Sequence, residues 1–145
     1  MKRKADLGQY MNILSTVMDE TENKSAELDP YFKIFRQALD ENKEVAAADY
    51  VKTKTAFEAG VSLYEQNVHK LTQAGQFVPA MLLGLHKKIV AAYRRFYLGC
   101  AKMNQALDYE KHTVASDMFN QAEKEQNQAM DDISKDVQKM MQKMM

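Results

Sequence analysis

Apolar side chains recur along this chain at steps of three and four, the spacing that lines one face of an α-helix. The first such run is Leu7, Tyr10, Met11, Leu14, Val17 and Met18, which predicts a helix over residues 4–24. The polar run DETENKSAE that follows reads as a loop or a frayed helix end. Asp29-Pro30 reads as a fresh start. Asp is a good N-cap, and proline is tolerated at the first helical position, where its missing N–H would have had no partner. Phe32, Phe35 and Leu39 continue from it as a stripe. DENKE at 40–44 holds no Gly or Pro, so the pattern leaves open whether 29–74 forms one helix or two.

From about 45 to 73 the stripe is Phe57, Val61, Tyr64, Val68 and Leu71. Gly75 then supplies a C-cap and Pro79 a restart, the best-marked boundary in the chain. Leu82, Leu85, Ile89, Ala92, Phe96, Gly99 and Met103 predict a helix over 79–107. Val114, Met118, Ala122, Ala129, Ile133, Val137, Met140 and Met144 predict a last one from about 110 onward, near a seven-residue beat. One unbroken helix from 79 to 145 would measure on the order of 100 Å, so a turn is expected near 105–113, around Asp108 and Thr113. No strand pattern and no repeat is found. The expected fold is all-α: an antiparallel bundle of four to five helices with a long C-terminal amphipathic helix. It fills 1–145 as one helical domain, with 138–145 as a frayed or partner-docking tail.

Composition agrees with this pattern: only five Gly and two Pro in 145 residues disfavour a turn-rich β architecture. The single cysteine, Cys100, permits no internal disulfide. MKRK resembles the basic start of a signal peptide, but Asp6, Gln9, Asn12 and Ser15 interrupt any apolar stretch behind it. The longest uncharged stretch, Leu71 to His86, is short for a membrane span and contains Gly75 and Pro79. The expectation from these features is a soluble, cytoplasmic protein, with signal-less export compatible.

Charge changes the picture more. The net charge is zero, against a dedicated polyanion binder. Its distribution is uneven: residues 66–107 carry six bases and no acid, between flanks in which acids outnumber bases. The centre of this region is HKKIVAAYRRFYLGCAK, where bases and aromatics alternate in the manner of a nucleic-acid grip. On a helical wheel the two sets separate. Ile89, Tyr93, Phe96, Tyr97, Cys100 and Met103 lie within about 80° of Leu82, whereas Lys87, Lys88, Arg94, Arg95 and Lys102 lie between about 120° and 240° from it. Stacking on bases needs both on one accessible surface, so nucleic acid is disfavoured. The five bases form an outward stripe. It pairs with the chain's own acids, such as those in 19–29 or 117–136, or it receives an acidic partner or an anionic membrane surface.

Chemistry-bearing motifs are missing. None of His69, His86 and His112 has Glu three residues before it, so no Glu-x-x-His metal motif is present, and no metal or cofactor is expected. Cys100 falls on the apolar arc, where thiols are inert packing groups. There is no glycine-rich phosphate loop and no nucleophile elbow, and no catalytic residue is nominated. The tail SKDVQKMMQKMM is rich in methionine, a flexible residue that suits adaptable interfaces. Met140, Met141, Met144 and Met145 are a second candidate surface, for coiled-coil pairing with a second copy or another protein. The expected function is therefore non-enzymatic: a helical adaptor, assembly or structural module that binds another protein. The alternatives are a polyanion or membrane-surface binder acting through helix 79–107, and a bundle enclosing a small ligand.

Overall fold

The computed structural model describes residues 5–144; the basic residues 2–4 and Met145 lie outside the described residues. Four helices dominate: α1 (Leu7–Glu41), α2 (Ala47–Ala74), α3 (Leu83–Ala106) and α4 (Ser116–Met144). A 3-10 turn, Ala80–Leu82, leads into α3, and a two-residue strand pair, β1 (Leu107–Asp108) and β2 (Thr113–Val114), joins α3 to α4.

Side-chain pairs fix the helix directions. Ser25 meets Tyr64 and Glu20 meets Lys70 between α1 and α2. Asn67 meets Tyr93 and Glu65 meets Tyr97 between α2 and α3. Arg95 meets Asp132 and Lys102 meets Glu125 between α3 and α4. In each case one number falls as the other rises, so consecutive helices run antiparallel. The fold is an all-α bundle, as the periodicity predicts.

The helix boundaries differ by a few residues at the starts of α3 (83, not 79) and α4 (116, not about 110), and substantially at one place. The expected loop at 19–27 and restart at Pro30 are absent, because α1 continues through both. The concealment is physical. Two inward positions of this stretch are polar: Thr21 donates to the Val17 carbonyl at 2.7 Å and meets the Tyr93 hydroxyl, and Ser25 shares a 2.8 Å hydrogen bond with the Tyr64 hydroxyl. Inner-face groups that satisfy one another need not be apolar. Pro30 is exposed, and the carbonyl it deprives of a helical partner belongs to exposed Ala26, where water can serve. The break falls instead at Asn42, whose left-handed backbone (φ 54°) ends α1 while the Lys43 N–H returns to the Ala38 carbonyl at 2.8 Å. Asn tolerates this conformation better than most residues.

The turn expected at 105–113 is present, and its two-residue strand pair is an addition that the pattern did not predict. Leu107 pairs with Val114 and Asp108 with Thr113. The Asp108 carboxylate accepts from the N–H groups of Glu110 (3.1 Å) and Lys111 (2.9 Å), a side-chain-closed turn. His112, also at positive φ, stacks on Tyr50 with ring centroids 4.9 Å apart.

Buried side chains form two clusters. One gathers Tyr10, Leu14, Val17, Leu71, Ile89, Tyr93, Ile133 and Met140; the other gathers Phe35, Tyr50, Phe57, Met103, Leu107 and Phe119. Between them the bundle has a waist. There Leu28 of α1 leans on Gly60 of α2, where an added Cβ would lie 2.5 Å from its methyl, and Gln126 of α4 leans on Gly99 of α3 at 2.9 Å. The two glycines thus seat α1 on α2 and α4 on α3. By contrast, α1 and α4 approach each other along little of their length. Below the waist, long side chains close the gap between them: Phe32 stacks on Phe119, and Arg36 reaches Asn120 (2.7 Å) and Glu123 (2.9 Å).

Candidate functional site

The wheel assignment of α3 holds residue by residue. Ile89, Ala92 and Tyr93 have no exposure, Phe96 and Met103 are buried, and Tyr97 and Cys100 are half-buried. Lys87, Lys88, Arg94 and Arg95 are exposed, and Lys102 is half-buried. The geometry then divides these five bases into two groups.

The first group is answered by α4. The Arg95 guanidinium donates to the Asp132 carboxylate at 2.9 Å, and the Lys102 ammonium reaches Glu125 at 3.1 Å. The acids stand seven residues apart, as do the bases, so the pairs repeat once per two helical turns. The hydrogen bond from Arg95, reinforced by one from Gln128, holds the Asp132 carboxyl below the usual carboxylate range. Of the two acidic regions expected to meet the stripe, 117–136 does so. In 19–29, Glu20 pairs with Lys70 of α2 instead.

The second group is unanswered. Lys87, Lys88 and Arg94 take part in no ion pair or hydrogen bond among the described residues. The reason lies in what faces them. One heptad beyond Asp132, α4 offers Lys139, and its last acid is Asp136. On the other side, the end of α2 from Gln66 to Ala74 has no acid at all. Lys87 and Arg94, about 10.5 Å apart along the helix, flank a shallow groove of about 440 Å³. Leu83, Val90 and Ala91 give it an apolar floor, and Thr72 and Gly75 at the end of α2 form its wall. A concave apolar strip bordered by uncompensated positive charge suits a ligand that is itself amphipathic and anionic.

The methionine tail is largely absorbed. Met140, expected on a docking surface, has no exposure and belongs to the upper cluster, with Val137 and Met144 packed against it. Among the described tail methionines only Met141 is exposed, at 50%. The spacing put Met140 and Met144 on the apolar stripe and left Met141 off it; what it could not show is that the bundle itself covers that stripe to its end.

Cys100 lies in the bundle, and burial pushes its thiol up, away from the reactive thiolate. His86 is buried, with Nδ1 2.9 Å from the Tyr10 hydroxyl. Among the described residues no group of three or more His, Cys, Asp or Glu is placed to hold a metal ion, and no helix is long and apolar enough to cross a membrane.

Fold and surface together define an all-α, antiparallel four-helix bundle with a half-neutralised basic face. The chain matches no protein-family model, no curated protein and no solved structure.

Proposed function

We propose that this chain is a non-catalytic interaction module, acting in the cytoplasm, that binds another protein through the upper half of α3. The partner element is an acidic amphipathic helix. Its apolar side lies on Leu83 and Val90, and its carboxylates reach Lys87, Lys88 and Arg94. The observation that carries this reading is the division of the basic face. Two bases are consumed by α4, whereas three have no counter-charge, and two of these, Lys87 and Arg94, border an apolar groove. Surface ion pairs contribute little to stability, so leaving three bases unpaired costs the fold little and keeps them available for steering and specificity.

The test is affinity capture from the native host with three baits side by side: the natural chain, a Lys87→Glu, Lys88→Glu, Arg94→Glu variant, and an Arg95→Glu, Lys102→Glu control. The expected result is a partner retained by the first and third baits and lost from the second, with light scattering separating a foreign partner from a second copy. The same proteins are passed over phosphatidylserine vesicles. Retention there with the same residue dependence, and no protein partner, would replace this reading with a membrane-surface one.

A further inference from the structure

We infer that the waist between α1 and α4 is a binding site for a small, mostly apolar organic cation. The cavity measures about 280 Å³ and is bordered by all four helices, near the lower end of the range that holds small ligands. It exists because Gly60 and Gly99 draw α1 and α4 down onto α2 and α3, which leaves the seam between α1 and α4 unfilled.

Its chemistry is one-sided. Aromatic rings make much of the wall: Phe32, Phe57, Tyr64 and Phe96, the last two edge to face at 4.9 Å. At the rim stand two carboxylates, Asp29 of α1 and Glu123 of α4, and among the described residues no Lys, Arg or His lines the cavity. Each carboxylate is held from outside, Asp29 by Lys33 at 2.7 Å and Glu123 by Arg36 at 2.9 Å. A carboxylate has capacity for further donors beyond one such pair. The Gln126 amide N–H is spent on the Gly99 carbonyl at 3.1 Å, which turns its oxygen into another acceptor. Ser25 and Tyr64 satisfy each other. Asn127, also on the lining, adds a side-chain amide with N–H donors, but the formal charges there are the two carboxylates, so the lining presents negative charge and ring faces. Both attract a cation with N–H donors, and both repel a carboxylate.

The experiment titrates three matched probes, 4-phenylbutylammonium, 4-phenylbutanol and 4-phenylbutanoate, into the full chain carrying ¹³C-methyl methionine. The ammonium is expected to bind about tenfold more tightly than the alcohol, the size of one well-placed charge contact, and the carboxylate most weakly. Met103 and Met130, which line the cavity, should shift, while exposed Met81 and Met141 stay still. Asp29→Asn with Glu123→Gln should remove the ammonium preference and leave the alcohol's affinity unchanged. Val61→Phe, which fills the cavity, should abolish binding of all three. Reversal of Lys87, Lys88 and Arg94 should change none of this, which separates the site from the α3 groove. Equal binding of the carboxylate, shifts confined to Met81 or Met141, or no binding at millimolar probe would overturn the assignment.

Discussion

The two halves of the outer face of α3 carry similar residues in different circumstances. Arg95 and Lys102 lie over acids of α4 at 2.9 and 3.1 Å, whereas Lys87, Lys88 and Arg94 lie over none. Arg94 and Arg95 are chain neighbours, yet a helical step of about 100° puts only Arg95 in reach of Asp132. The role of a surface base is thus set by what its neighbouring helices place across from it. The lower half is spent on fixing the register of α3 against α4; the upper half carries no counter-charge.

The sharpest way to break this comparison is to reverse the upper half. Lys87→Glu, Lys88→Glu and Arg94→Glu together should weaken partner binding by about two orders of magnitude, with the melting temperature unchanged. Calorimetric titration beside a thermal melt checks both. Reversing the lower half, Arg95→Glu with Lys102→Glu, sets like charges against Asp132 and Glu125. It should lower the melting temperature by about 3 °C and leave partner affinity within about twofold. A loss of partner affinity in this variant would mean the halves act as one surface.

A finer change converts one half into the other. Lys139→Glu places an acid one heptad beyond Asp132, opposite Lys88. The melt should rise by about 1 °C, and partner affinity should fall about threefold as Lys88 acquires an internal counter-ion. The smallest effect is in the titration of Asp132. Its carboxyl lies below the ordinary value because Arg95 donates to it. A depressed folded value means that the stabilisation is present above the unfolded pKa and is lost as pH falls through the folded one. Arg95→Gln should return the Asp132 midpoint toward the ordinary carboxylate range, read by NMR of the side-chain carboxyl carbon.

Much of this was legible in the chain, for reasons that differ by element. The faces of α3 and α4 were readable because nearly all their inward positions are apolar or small; the exceptions are buried His86, and Met118, which the spacing placed inward but which is exposed while Phe119 is buried. The turn after α3 was readable from length, since no bundle of this size holds so long a rod. α1 was misread because Thr21 and Ser25 point inward while bonded to Tyr93 and Tyr64, and Pro30 points outward. Polar atoms inside and a helix breaker outside invert both of the cues on which sequence reading rests. The division of the basic stripe and the waist cavity depend on register between helices. Arg95 and Asp132 are 37 residues apart, and Gly60 and Gly99 are 39 apart, and nothing in local spacing sets them level. Gly99 inside the α3 stripe was the visible trace of the waist, being costly there without a close neighbour to justify it; Gly60 stands just beside the α2 stripe of Phe57, Val61 and Tyr64.

The short turn at 109–112 also bears on how the bundle assembles. It joins the two helices that pack most closely; the Asp108 carboxylate closes it from within, and Tyr109 and His112 rest on Tyr50 of α2. Pairing α3 with α4 closes a short loop at small entropic cost, as does pairing α1 with α2 across 42–46, but the α3–α4 seam is the more closely packed of the two. The α3–α4 hairpin is therefore the natural nucleus. Substitutions along its seam, such as Ile133→Val, should slow refolding, while Leu14→Ala in α1 should act mainly by hastening unfolding, a distinction that stopped-flow chevrons would read directly.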